Sequence, residues 1–211
     1  PVPMRVFSHA GPVDTVMTPM DSIKHRKHFL HAGLMSIEPR TGHIKAWVGG
    51  IDYRYFKYDN VSQSRRQVGS IFKPFVYATA LRYGMNRCTE IPNQKICIEM
   101  PDGQPDWCPD NSDFEYGDIV TLEYALANSM NTVTAKLIKE FGAHRVAELA
   151  HALGIESEIP EVPSIALGAA QLTLKEITSA NAALVNGGVY VRPTYIARIE
   201  DKFGNVIYTP E

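Results

Sequence analysis

Over residues 30 to 50, apolar and polar positions alternate on either side of Pro39-Arg40-Thr41-Gly42. A period of two is that of a half-buried strand, and the Pro and Gly suit a tight turn, so Leu34–Ile37 and Ile44–Val48 are predicted to pair as a hairpin. Residues 51–68 mix Tyr, Asp, Asn, Ser and Arg without a period and predict no regular element. Gly69-Ser70 then precedes Ile71, Phe72, Phe75, Val76, Ala78, Ala80 and Leu81, and the run closes at Gly84. That pattern predicts a buried helix with a small capping residue and a glycine stop. Pro74 falls in the first turn, where a missing N–H costs little.

From Arg87 to Gly117 the chain is rich in Pro, Asp, Asn, Gly and Cys, which predicts a long connection with one short strand at 95–99. Connections of this length are usually functional. Helices are predicted over 121–127, 132–141 and 143–153. A loop runs through Pro160 and Pro163, and a last helix over 173–185 stops at Gly187-Gly188. Two strand-like pieces, 190–199 and 205–208, flank the turn at 201–204. Strands at both ends around a helical middle, with no internal repeat, give an α+β fold. We expect one domain over 1–211: a sheet hairpin at 30–50, a mainly helical lobe at 70–186 and returning strands at 189–211.

Composition narrows the classes of function. Of 211 residues, 45% are apolar and 21% charged, so a packed core is expected throughout. A net charge of -2 supplies no cationic field for nucleic acid or for anionic lipid. No window holds the roughly 18 consecutive apolar residues of a membrane span, and the first residues show no signal-peptide pattern. The chain opens on Pro1-Val2-Pro3 and stops just after Val206-Ile207-Tyr208, which reads as a piece of a longer polypeptide. Cys88, Cys97 and Cys108 share one polar stretch; they allow one disulfide or none, and spacing selects no pair. No metal is expected, because no CxxC or nearby His pair supplies four ligands.

The remaining chemistry centres on Ser70. A serine hydroxyl is a poor nucleophile until a base within reach takes its proton. In Ser70-Ile71-Phe72-Lys73, positions three apart share a helix face, so an amine sits beside the hydroxyl while Ile71 and Phe72 turn inward. At a helix start, free backbone N–H groups also favour an oxyanion. Lys73 must lose its proton to act as a base, so burial or a neighbouring cation has to lower its pKa. Ser-x-x-Lys alone is a weak signal, since both residues are common. Ser129-Met130-Asn131, in a short interruption between helices, adds a hydroxyl that can relay a proton and an amide that can hold a peptide carbonyl. Both can equally serve as helix caps. Ser179-Ala180-Asn181 has the same spacing but lies inside a continuous helical segment and reads as structural.

Ser-x-x-Lys followed by a Ser-x-Asn element is a signature of serine β-lactamases and penicillin-binding proteins. The flanks are more specific. Residues 65–77, Arg65-Arg66-Gln67-Val68-Gly69-Ser70-Ile71-Phe72-Lys73-Pro74-Phe75-Val76-Tyr77, closely resemble the R-Q-x-G-S-x-F-K-P-F-x-Y stretch of class A, bifunctional penicillin-binding proteins. Residues 41–50, Trp107-Cys108-Pro109-Asp110-Asn111, residues 125–131, Leu167-Gly168 and Asn186-Gly187-Gly188 continue the likeness from about Asp14 to the end. The family's third element, Lys-Thr-Gly or Lys-Ser-Gly, is absent; Arg40-Thr41-Gly42 precedes Ser70 and fits a hairpin turn, and in the family the element lies downstream, beyond Glu211.

The resemblance implies an antiparallel sheet paired with a helical lobe, with the serine between them. It implies Ser70 as acylated nucleophile, Lys73 as base, Ser129 as proton relay and Asn131 as a substrate-binding amide, with no cofactor. The reaction implied is D-Ala-D-Ala transpeptidation of peptidoglycan stem peptides, fed by a lipid-linked precursor and blocked by penicillins and other β-lactams at Ser70. It implies a periplasmic location, with a membrane anchor and a glycosyltransferase in the parent polypeptide, outside this chain. A serine β-lactamase shares nucleophile and base, but Glu156, Glu158 and Glu161 lack the E-x-x-x-N context of a class A deacylating base. A noncatalytic β-lactam sensor or scaffold keeps the same serine and lysine, and substrate turnover separates it from a transpeptidase.

Overall fold

A computed structural model describes residues 1–101 and 103–209. An antiparallel hairpin of β1 (Val2–Val6) and β2 (Val13–Met17) leads into α1 (Pro19–Lys27). Phe7, after β1, meets Phe29 and Phe56 edge-on, which ties the first thirty residues to the body of the chain. The predicted hairpin forms as β3 (Leu34–Ile37) and β4 (Ile44–Val48), with Leu34 opposite Val48. Residues 51–68, read as irregular, contain a short strand: β5 (Arg65–Gln67) pairs antiparallel with β8 (Gln171–Thr173). Its three polar residues are all exposed, so burial leaves no alternating pattern to read there.

Gly69–Phe72 forms a 3₁₀ turn that runs directly into α2 (Lys73–Arg82), so the helical segment does start at Gly69-Ser70. Phe72, Phe75, Val76 and Ala80 are fully buried and make α2 the centre of the core, whereas Ile71, expected to turn inward with Phe72, faces outward from the 3₁₀ turn. It packs against α4 (Asn131–Phe141) and α5 (Ala143–Ala152), and more lightly against α3 (Leu122–Ala127). Leu137, Val133 and Val146 supply the facing surface. In the long connection, β6 (Glu90–Pro92) pairs with β7 (Ile119–Thr121). The strand expected at 95–99 reduces to one bridge, Ile98 with Trp107, closed by a Cys97–Cys108 disulfide; Cys88 is free and exposed.

Helix α6 (Leu174–Val185) packs against β3. The strand expected at 190–199 is mostly irregular: Thr194 bridges to His43, and only Ile199–Glu200 forms a strand, β9, paired with β10 (Val206–Tyr208). Pro193 has no N–H to give a ladder, which is why the apolar run does not extend as sheet. Among the described residues the pairings make five two-stranded antiparallel sheets around one helical core, the α+β arrangement expected.

The start of α6 anchors β8. Thr173 and Glu176 form a reciprocal capping box, and the Glu176 carboxylate also accepts from the Ser157 N–H at 2.7 Å and its hydroxyl at 2.9 Å. Partial burial raises the carboxyl pKa, but the hydrogen bonds from Thr173 and Ser157 outweigh it and hold the value at about 2. A depressed carboxyl stabilises the fold above its unfolded value of 4.5, and that contribution is lost as pH falls toward 2. Urea titrations at pH 5 and pH 3 should show the wild type losing about 1–2 kcal/mol from this group, after discounting for partial exposure. Glu176→Gln should abolish that portion of the acid dependence; an unchanged pH slope would refute the anchor.

Candidate active site

Lys73 begins α2 and is only 1% exposed. Its ammonium meets three neutral acceptors: the Ser129 carbonyl, the Ser129 hydroxyl at 3.0 Å and the Asn131 Oδ1 at 2.6 Å. Among the described residues no carboxylate pairs with it. Burial without a counter-charge disfavours the ammonium and lowers the Lys73 pKa to about 8. Burial thus brings the amine closer to losing its proton near physiological pH, with the ammonium still the major form below pH 8.

Ser129 lies in the break between α3 and α4 with φ +53°, a left-handed conformation that a serine adopts at a cost. That twist turns both its carbonyl and its hydroxyl onto Lys73. Asn131 opens α4 and has both ends of its amide engaged, Oδ1 with Lys73 and Nδ2 with the Asp110 carbonyl at 2.8 Å. Ser179, by contrast, is buried and donates back to the Lys175 carbonyl within α6, the structural role expected of it.

Ser70 is exposed on the 3₁₀ turn, and its carbonyl accepts the Lys73 backbone N–H. The structure thus joins Lys73, Ser129 and Asn131 by direct hydrogen bonds and sets Ser70 one turn away, with no hydrogen bond between Ser70 and the Lys73 amine among the described residues. What holds Ser70 is backbone. The β5–β8 ladder continues as Val68 N–H to Ala170 O at 3.2 Å and Gly69 N–H to Gly168 O at 3.1 Å. Gly168 sits at φ +74°, and a Cβ there would run into the Gly69 backbone. Sequence reading cited Gly168 only for its likeness to a family; the contact that gives it a role spans about a hundred residues and leaves no local signal.

Gly168→Ala should therefore displace the Ser70 turn. A shift of about 1 Å in a reacting group can cost about 10²-fold in rate. We expect the Ser70 hydroxyl to react more slowly on that order with a serine-directed acylating reagent while thermal unfolding stays cooperative; an unchanged rate would show that the contact is slack.

The family model described as penicillin binding protein transpeptidase domain matches residues 32–210, and that of the penicillin-binding protein middle domain matches residues 1–30. Penicillin-binding protein 1A of Rickettsia prowazekii is 34% identical over 179 residues, 85% of this chain and 23% of that protein. The crystal structure of penicillin-binding protein 1A from Haemophilus influenzae superposes with a TM-score of 0.79 at 33% identity, covering 85% of this chain and 27% of that one. The PonA1 protein of Mycobacterium tuberculosis, solved in complex with penicillin V, gives a TM-score of 0.72 at 25% identity, over 84% of this chain and 49% of that one. The chain spans about a quarter of the length of the curated relatives it matches.

Proposed function

This chain belongs to the penicillin-binding protein transpeptidase family, and from that premise we propose that it carries the acyl-forming half of a peptidoglycan D-Ala-D-Ala transpeptidase site, with Ser70 as nucleophile. The observation that carries the proposal is the buried Lys73 amine, paired with no carboxylate among the described residues and held by Ser129 and Asn131 one turn from an exposed serine.

In the proposed reaction neutral Lys73 takes the Ser70 proton as Oγ attacks the carbonyl of the penultimate D-alanine. The Ser70 backbone N–H, at the start of the turn, favours the oxyanion that forms. As the C–N bond breaks, the departing D-alanine nitrogen needs a proton. The Ser129 hydroxyl, 3.0 Å from the Lys73 amine, is placed to pass that proton on. Lys73 returns to the neutral state; an amine of a second stem peptide then attacks the ester carbonyl, its proton passing through Lys73 to Ser70 Oγ as the C–O bond breaks. A penicillin enters by the same first step. The reading places the site on the outer face of the cytoplasmic membrane, held there by a segment outside this chain, with stem peptides from a lipid-linked precursor as substrates. Among the described residues no helix is long and apolar enough to cross a membrane.

The test is turnover: release of D-alanine from a stem pentapeptide, with cross-linked product when an acceptor amine is supplied. Acylation by penicillin without peptide turnover would favour a sensor instead.

A further inference from the structure

Helix α4, which carries Asn131, has no cap of its own: Met130 at its N-cap makes no side-chain cap bond. The first free N–H groups of a helix need acceptors, and here one distant side chain serves two of them. Asn111 Oδ1 accepts from the Asn131 N–H at 2.9 Å and the Thr132 N–H at 3.1 Å. Asn111 is 3% exposed, and its Nδ2 donates to Asn93 Oδ1 at 2.8 Å and to the Glu115 carbonyl at 3.0 Å. Thr132 Oγ1 closes the network onto Asn93 Oδ1 at 2.7 Å. The neighbouring residue grips the same target, since the Asp110 carbonyl accepts from Asn131 Nδ2. The Asp110 carboxylate is in turn held by Lys95 at 2.9 Å and the Tyr116 hydroxyl at 2.7 Å.

Asn131 is thus held at its backbone by Asn111 and at its side chain by Asp110. That decides which end of the amide faces the lysine. Because Nδ2 must donate to a carbonyl, only Oδ1 is left to meet the Lys73 amine. We propose that Asn111 is a positioning residue for acyl transfer: acting through the first turn of α4, it fixes the Asn131 amide oxygen and the Ser129 hydroxyl against Lys73 and keeps that amine dry. The inference rests on the reading of Lys73 as the base.

The test uses the full polypeptide and three readouts: the second-order rate of acylation by a fluorescent penicillin from pH 6 to pH 10, the pH midpoint of Lys73 labelling by an amine reagent, and thermal unfolding. Asn111→Ala should acylate about 10²-fold more slowly at every pH. Its Lys73 midpoint should rise from about 8 toward the ordinary 10.5 as water reaches the amine. Asn111→Asp keeps an acceptor for both N–H groups at a helix start that favours negative charge, while its second oxygen replaces the donor to Asn93 Oδ1 and the Glu115 carbonyl, a cost that thermal unfolding reads separately. The new charge also raises the Lys73 midpoint, so acylation should recover to within about tenfold of wild type only near pH 9–10, where Asn111→Ala stays slow. The proposal fails if Asn111→Ala acylates normally with an unmoved midpoint. It fails equally if both variants are slowed alike with neither midpoint moved, since that is a purely structural loss. If the wild type is not acylated but the Asn111→Ala midpoint still shifts, the positioning role stands and the proposed function falls.

Discussion

A fluorescent penicillin should label the full polypeptide once, at Ser70, and Ser70→Ala should abolish the adduct altogether. The expectation is not trivial, because hydrogen bonding alone nominates a different serine: Ser129 Oγ lies 3.0 Å from the Lys73 amine, whereas no bond joins Ser70 to it among the described residues. Two features favour Ser70. It is exposed on the turn that starts the core helix α2. Ser129 instead follows α3, in a strained left-handed turn whose carbonyl and hydroxyl are both occupied by Lys73. A relay and a nucleophile separate cleanly by mass spectrometry. Ser129→Ala should slow acylation by about 10²–10⁴-fold, the usual worth of a positioned proton donor, yet leave the adduct on Ser70. The reverse pattern, with the adduct kept in Ser70→Ala and lost in Ser129→Ala, would exchange the two roles.

Helices α2 to α6 were legible because each has a buried face and a marked end, whereas α1 buries no residue and left no such pattern. Thr121 and Thr173 cap α3 and α6, and Gly142 separates α4 from α5, so their limits fall within a residue or so of those expected. Hairpin β3–β4 was legible from its period of two. What the sequence could not show is pairing between distant segments that bury no alternating face. Strand β5 finds β8 more than a hundred residues away, and Gly168 acquires a role only because that ladder brings it to Gly69. The site divides the same way. Ser70 and Lys73 are linked by local helical spacing, and Ser129 and Asn131 by a break between helices. Asn93 and Asn111 stand in a loop whose composition says only that it is long and polar; their value lies in a buried network that joins this loop to the start of α4. The Cys97–Cys108 pairing was likewise one of several open choices until Ile98 and Trp107 were seen to bridge.

Replacing Lys73 with Arg should reduce acylation by about 10²–10⁴-fold, and the pH profile of the wild type should show why. Burial disfavours the ammonium and brings the Lys73 pKa from 10.5 to about 8, so the amine gains its basic form as pH rises. The wild-type rate should climb to half its plateau near pH 8 and level off above it. Arginine can fill the same acceptors but does not give up its proton at any accessible pH, so Lys73→Arg should be slow and flat where the wild type rises. The same shift fixes a second, independent observable. Between pH 8 and pH 10.5 the unfolded chain holds a proton on Lys73 that the folded chain has released, so stability from this group must increase as pH rises across that window, by an amount on the order of 2–3 kcal/mol. Lys73→Met leaves three acceptors without a donor and will alter absolute stability for that reason, so the comparison is of slopes: the wild type should gain stability between pH 8 and pH 10 relative to Lys73→Met. A rate limb near pH 8 without the matching slope would mean that the titrating group is not Lys73. If Lys73→Arg kept wild-type rates, the side chain would be serving only as a fixed positive charge, and the proton from Ser70 would have to go elsewhere.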